Sequence, residues 1–136
     1  MAAGGGCWLG VCGLVLLSGA LALGRPGLVG APVEATLDAE AQRALQFAME
    51  RYNRGSNDAF RSRVAQVVSV HKQLVAGIKY IFNVKVGRTS CRNSDVVAGD
   101  CEFLVEPGQA KTTTCTFEVV VVPWQNTIRL VKNECQ

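Results

Sequence analysis

The sequence predicts an α+β fold in which one amphipathic helix packs on an antiparallel sheet. Three observations predict this fold. One segment places apolar residues at helical spacing, four later segments have the composition or the two-residue alternation of strands, and glycine or proline separates the segments. The chain has 136 residues, of which 49% are apolar and 18% charged, and this length and balance are typical of one folded domain.

The first 24 residues are expected to be a signal peptide. Met1–Gly24 contains no charged side chain, and its apolar core is followed by the small residues Ala20 and Ala22. A signal peptidase admits small residues at such positions, so we expect cleavage after Ala22 or Gly24. A membrane anchor is the alternative, but the apolar run is shorter than the roughly 20 residues that a span needs. The domain is therefore expected to comprise residues 25–136, to be secreted and to have no membrane contact in its mature form.

The helix is expected to begin after Asp38, its N-cap, and to run to about Arg54, with Gly55 as the stop. Its apolar residues recur at three- and four-residue steps and so form one stripe. They are Leu37, Ala41, Ala44, Leu45, Ala48 and Tyr52. The opposite face is polar, which indicates that only one side of the helix is buried.

Two strands are expected to follow as a hairpin. The run from Val64 to Val75 is rich in valine, and residues from Ile78 to Val86 alternate between apolar and polar types. Ala76-Gly77 lies between them and is expected to form the turn.

A second hairpin is expected near the end of the chain. The alternation from Thr113 to Val122 stops at Pro123, because proline donates no hydrogen bond to a sheet ladder. It resumes at Ile128 and continues to about Cys135. The two hairpins are joined by residues 87–111, which are expected to be a long irregular loop, and residues 25–33 are expected to be extended and mobile.

Composition excludes several classes of function. The net charge is 14 − 11 = +3 without a dense basic patch, so a dedicated nucleic-acid binder is not expected. The single histidine, His71, rules out a two-histidine zinc site, and no Cys-x-x-Cys pair is present. Four cysteines remain after removal of the signal peptide, namely Cys91, Cys101, Cys115 and Cys135. Their even number predicts two disulfides and leaves three pairings open. We expect no metal, no cofactor and no catalytic residue.

Three loop segments stand out because a core does not require them. One is Leu28, Val29 and Gly30 in the Gly- and Pro-rich amino-terminal segment, and another is Pro123-Trp124 in the second hairpin. The third is the tip of the first hairpin, formed by Gln73, Leu74, Val75, Ala76 and Gly77. Each alone is equally consistent with an ordinary turn, a linker or an aromatic cap on the core. Hairpin tips can meet at one end of a sheet, so together they predict an interaction surface.

Taken together, these residues resemble the secreted, two-disulfide (type 2) cystatins, which inhibit papain-like cysteine proteases. The resemblance rests on Gly30, on the Gln-x-Val-x-Gly pattern of residues 73–77, on Pro123-Trp124, and on cysteines ten and then twenty residues apart. It covers essentially all of the mature chain. It implies the cystatin fold, in which an antiparallel sheet wraps around one long helix, with the disulfides Cys91–Cys101 and Cys115–Cys135.

The resemblance also implies reversible, competitive inhibition of papain-like proteases, including cathepsins, by a wedge of three segments. Leu28 and Val29 would occupy the non-primed pockets, and Gly30 would turn the backbone away from the catalytic thiol. The first hairpin tip would fill the middle of the cleft, and Trp124 would press its ring on the primed side. The chain is expected to be a monomer. Strain at Val75 in the tight turn would let two chains exchange the helix and a strand in a dimer.

The resemblance also indicates a candidate second site at Ser56, Asn57 and Asp58, on a surface loop after the helix. In some cystatins the matching Ser-Asn-Asp stretch binds legumain, the asparagine-specific protease, on a face away from the wedge. The alternative is a plain turn, since Gly-Ser-Asn-Asp is ordinary turn chemistry.

Overall fold

A computed structural model describes residues 30–94 and 101–136 of the chain. The expected signal peptide, its cleavage site, Leu28 and Val29 lie outside the described residues. The elements in chain order are β1 (Val33–Glu34), α1 (Ala39–Gly55), β2 (Phe60–Val75), β3 (Gly77–Arg92), β4 (Thr112–Val122), a 3-10 turn (Pro123–Gln125) and β5 (Thr127–Cys135). The strands form one five-stranded antiparallel sheet in the order β1-β2-β3-β4-β5, with α1 on one face, which confirms the α+β prediction.

Local signals at both ends of α1 explain its limits. The side chain of Asp38 accepts a hydrogen bond from the backbone N–H of Ala41 at 2.9 Å, as expected of an N-cap. The helix ends at Gly55, as predicted. The left-handed backbone that follows nevertheless falls on Asn57, with φ of 57°, and not on the glycine.

The predicted apolar stripe of α1 packs against the inner face of the sheet. The fully or nearly buried residues of this core come from α1 and from alternate positions of β3 and β4, with Val70 from β2. They are Ala41, Ala44, Leu45, Ala48, Met49, Val70, Tyr80, Phe82, Val84, Val86, Cys115, Phe117 and Val119. Leu37 and Tyr52 are partly buried against this core. The two-residue period of the strands therefore identifies the buried face correctly.

The strands extend beyond the predicted limits at the end of the sheet opposite the first hairpin turn. β2 begins at Phe60 rather than Val64, and β3 continues through Gly87 to Arg92, where Phe60 and Arg92 lie opposite each other. The expectation that the irregular loop begins at Gly87 is therefore wrong. A Cβ atom at Gly87 would lie 2.8 Å from the ring of Phe103, so glycine makes room for that ring and the strand continues past it. β1, which was not predicted, pairs with β2.

Both disulfides implied by the family resemblance are present. Cys91 is bonded to Cys101, and Cys115 is bonded to Cys135. Cys115 and Cys135 lie opposite each other in the register of β4 and β5, so the second bridge fastens the last strand to its neighbour. Closing the 20-residue separation contributes on the order of 3 kcal/mol by restricting the unfolded chain.

Candidate functional site

The first hairpin tip is a tight turn at the end of β2 and β3. Val75 and Gly77 lie opposite each other, which leaves Ala76 alone at the turn. Gly77 has φ of 133°, and a Cβ atom there would lie 2.7 Å from the carbonyl oxygen of Val121. Left-handed backbone and close approach both require glycine at this position. Val75 itself has no positive φ, and the left-handed backbone of this turn falls on Gly77.

The segment that enters β1 is hydrogen-bonded to the first hairpin tip. The N–H of Gly30 donates to the carbonyl oxygen of Leu74 at 2.9 Å, and the side-chain amide of Gln73 donates to the carbonyl oxygen of Gly30 at 2.8 Å. These bonds fix Gly30 beside β2, on the side away from β3. The role of Gln73 as the residue that holds Gly30 follows from this geometry.

The second tip is a 3-10 turn of Pro123, Trp124 and Gln125. Asn126 follows with φ of 55°, and its N–H donates to the carbonyl oxygen of Pro123 at 3.1 Å. Trp124 is 72% exposed. The ring therefore does not cap the core, and of the two alternatives for this tryptophan only the surface one fits the fold.

The sheet register brings these segments to one end of the molecule. Ile78 lies opposite both Leu74 on β2 and Val121 on β4, so the first turn lies beside the end of β4. Gly77 lies so close to Val121 and Val122, the residues that lead into the second tip, that an added Cβ atom would be 2.7 Å and 3.0 Å from them. The order across this end is thus Gly30, the first tip and the second tip. We call residues 30, 73–77 and 123–124 the tip edge.

A buried tyrosine anchors the helix just behind the tip edge. The hydroxyl of Tyr80 donates to the carboxylate of Glu40 in the first turn of α1. Burial and the hydrogen bond to Glu40 both raise the pKa of Tyr80 well above its ordinary value. Tyr80 thus remains a hydrogen-bond donor throughout the neutral range, and the start of α1 stays fixed relative to β3.

Ser56, Asn57 and Asp58 lie at the opposite end of β2 from the tip edge. Asn57 is exposed in the left-handed region, which asparagine tolerates better than most residues. Its neighbours are held in place: the hydroxyl of Ser56 donates to the carbonyl oxygen of Asn53 at 3.1 Å, and Asp58 accepts from the N–H of Phe60 at 3.0 Å. The loop therefore presents one exposed side chain between two fixed ones.

Two residues that the sequence pattern missed complete this loop. Arg88 donates to one carboxylate oxygen of Asp58 from Nε at 3.1 Å and from Nη2 at 2.9 Å. The side-chain amide of Asn93 donates to the carbonyl oxygens of Asn53 at 2.7 Å and Asp58 at 3.2 Å. Burial alone would raise the pKa of Asp58, but the hydrogen bonds from the Phe60 N–H and Arg88 outweigh it, so this pKa lies below its ordinary value. Asp58 is therefore charged at neutral pH and keeps its bond to Arg88.

Membrane-spanning helices and metal-binding clusters are both absent from residues 30–94 and 101–136. These residues contain no helix that is both long and apolar enough to cross a membrane. In the same part of the chain, no group of three or more His, Cys, Asp or Glu side chains is placed to hold a metal ion.

Comparisons with known proteins agree on one family. A family model described as the cystatin domain matches residues 30–124. Cystatin of Gallus gallus is 49% identical over 140 residues, covering 100% of both chains, and Cystatin-C of Homo sapiens is 42% identical over 112 residues, covering 82% of this chain and 77% of that one. The solved structure of dimeric human cystatin F is similar with a TM-score of 0.70 at 29% identity, covering 79% of this chain and 86% of that chain.

Proposed function

Since this chain belongs to the cystatin family, whose members inhibit cysteine proteases and are not enzymes, we propose that it blocks papain-like proteases with its tip edge. The observation that carries the proposal is the alignment of Gly30, the first tip and the second tip at one end of the sheet. Leu74 at 67% and Trp124 at 72% exposure face solvent there, although apolar side chains of this size are stabilised by burial. A protease cleft that covers them would supply that burial.

Each segment of the tip edge has a distinct role in the proposed wedge. Leu28 and Val29, which precede Gly30, occupy the non-primed pockets, and Gly30 turns the chain away from the catalytic thiol. The small turn of Val75, Ala76 and Gly77 approaches the centre of the cleft closely. Trp124 packs on the primed side. Inhibition is reversible, competitive and non-covalent, because no peptide bond of the inhibitor is placed for attack.

Titration of active papain tests this proposal. Monomeric protein comprising residues 25–136, with both disulfides intact, is added to papain with a fluorogenic substrate. We expect competitive one-to-one inhibition with a dissociation constant on the order of 1 nM or lower, since the tip edge is already formed in the free protein. Mass spectrometry of the recovered inhibitor should find it uncut. A folded monomer that does not inhibit would be a non-inhibitory binding module of the same fold, and the wedge would be refuted.

The active form in this proposal is the monomer. A dimer that exchanges α1 and β2 between two chains must open the turn at Val75–Gly77, and this removes the first tip from the wedge. The titration is therefore made on the monomer fraction from size-exclusion chromatography. A dimer isolated after mild heating is not expected to inhibit papain.

We also propose that the protein is secreted after removal of residues 1–24. The two disulfides support this proposal, because such bonds form and persist in oxidising compartments. Sequencing of the mature amino terminus from a secreting cell would identify the cleavage site.

A second proposed activity is inhibition of legumain through Asn57. Its exposed side chain, held between Ser56 and Asp58 on a fixed loop, supports a substrate-like fit in an asparagine-specific pocket. The loop lies at the other end of β2 from the tip edge, so a legumain bound there leaves the tip edge accessible.

Substitution Asn57→Gly is expected to abolish legumain inhibition while papain inhibition stays within about twofold of the wild type. Glycine tolerates φ of 57°, so the substitution removes the side chain without straining the backbone. We expect at least a ~100-fold loss, since a pocket built for one polar side chain discriminates strongly against its absence. Asn126→Gly makes the same change at the other left-handed asparagine of the described chain and should leave legumain inhibition intact. Equal inhibition constants of Asn57→Gly and Asn126→Gly for legumain would contradict the assignment of Asn57 as the residue that binds legumain.

A further inference from the structure

Exposed apolar side chains are concentrated at the end of the sheet that carries the tip edge. Of the seven exposed large apolar residues in 30–94 and 101–136, four lie at this end, namely Val33, Leu74, Trp124 and Ile128. The proposed wedge uses Leu74 and Trp124. It gives no role to Ile128, which is 37% exposed on β5.

The register connects Ile128 to the tip edge through a continuous row of apolar residues. Leu74 lies opposite Ile78, Ile78 opposite Val121, and Val121 opposite Ile128, so the four residues share one face of the sheet. With strands about 4.8 Å apart, this row is about 14 Å long. We call Leu74, Ile78, Val121 and Ile128 the apolar row.

The apolar row lies at the margin of the core between α1 and the sheet. Its two central members, Ile78 and Val121, are partly buried against the core. Two residues further from the tips, Tyr80 and Val119 lie opposite each other and are fully buried. Ile128 is thus outside the core and on an edge strand, where an exposed β-branched apolar residue invites unwanted pairing unless another surface covers it.

We propose that the apolar row extends the inhibitory surface and that Ile128 contacts an apolar part of the protease at the rim of its cleft, beside Trp124. The inference rests on the proposed function, because the protease seated on the tip edge is the partner that reaches the row. The position of Ile128 next to the second tip supports the protease as the partner. Val122 lies opposite Thr127, so Trp124 in the turn and Ile128 at the start of β5 belong to one short hairpin. One apolar surface of the protease can cover Trp124 and Ile128 together, and the removal of both side chains from water favours binding.

Substitution Ile128→Ser tests the contact, with Val131→Ser as the matched control. Val131 is 43% exposed on the same strand but further from the tip edge. We expect Ile128→Ser to raise the inhibition constant for papain about tenfold, mainly through faster dissociation, and Val131→Ser to change it less than about twofold. Ile128→Val should restore most of the affinity. Melting temperatures are measured for all three variants of the disulfide-bonded protein.

A second measurement separates contact from mere support of the hairpin. In a complex of deuterated, methyl-labelled inhibitor with protonated papain, irradiation of papain protons should transfer saturation to the methyl groups of Leu74 and Ile128 and not to those of Val131. Saturation at Leu74 without saturation at Ile128 would overturn the inference and leave the wedge standing. So would equal inhibition constants for Ile128→Ser and Val131→Ser. If the wild-type protein did not inhibit papain, the wedge and this extension would both be refuted.

Discussion

Replacing Trp124 by alanine is expected to weaken papain inhibition by about 2 kcal/mol or more, or about 30-fold in the inhibition constant. The ring is 72% exposed in the free protein and so contributes little to the core. Its loss therefore removes contact with the protease without creating a cavity in the inhibitor. Large aromatic rings that become buried in an interface are among the side chains whose truncation costs most.

Stability measurements show whether Trp124→Ala weakens inhibition by removing a contact with the protease or by destabilising the inhibitor. The melting temperature of Trp124→Ala should match that of the wild type, and Val105→Ala, which truncates another exposed apolar residue, should inhibit normally. Trp124→Phe should recover part of the affinity, because a smaller ring still fills part of the same space. An inhibition constant for Trp124→Ala within about twofold of the wild type would show that the second tip is not part of the wedge.

Replacing Gly77 by alanine is expected to lower the free energy of unfolding by about 3 kcal/mol and to weaken inhibition more than tenfold. Two effects combine at this position. A φ of 133° is unfavourable for any residue with a side chain, and the added Cβ would lie 2.7 Å from the carbonyl oxygen of Val121. Relief of this overlap must move the first turn away from β4, which displaces one tip relative to the other.

Gly108→Ala separates the two effects. Gly108 also has a positive φ, 92°, but no atom of residues 30–94 or 101–136 lies within 4 Å of a Cβ atom there, its own neighbours in the chain aside. Urea unfolding should therefore show a loss of only about 1 kcal/mol, from backbone strain alone, with normal inhibition. If the two alanine variants lost equal stability and inhibited equally well, the contact between Gly77 and β4 would not be what positions the tips.

Features encoded by neighbouring residues could be predicted from the sequence, and features encoded by distant contacts could not. The limits and buried stripe of α1 follow from Asp38, Gly55 and the spacing of the apolar residues. The early start of β2 has no such local signal. It depends on Asn53, whose side-chain amide donates to the carbonyl oxygen of Ser62 and whose side-chain oxygen accepts from the N–H of Ser62. An asparagine buried at the end of an apolar stripe is a hint of such a bond, but it does not name the partner.

The same distinction applies to the candidate sites. The family pattern identified Gln73 and Gly77 as members of the first tip, but their mechanical roles depend on partners 43 and 44 residues away, Gly30 and Val121. Arg88 and Asn93 are 30 or more residues from the atoms that they bind in and beside the loop around Asn57. A single sequence does not show which distant residues contact each other, so these pairs could be identified only from the structure.

The separation between core and tips has a consequence for how such a protein can diversify. In the core between α1 and the sheet, the fully buried residues nearest the tips are Tyr80 and Val119, and the side chains of Leu74, Ala76 and Trp124 are exposed to solvent beyond them. With Gly77 retained, substitutions at these three positions are expected to change what the proposed wedge recognises and to cost the scaffold little stability. Libraries that randomise these three positions should therefore yield folded proteins at high frequency. Variants that bind new targets can then be selected without redesign of the scaffold.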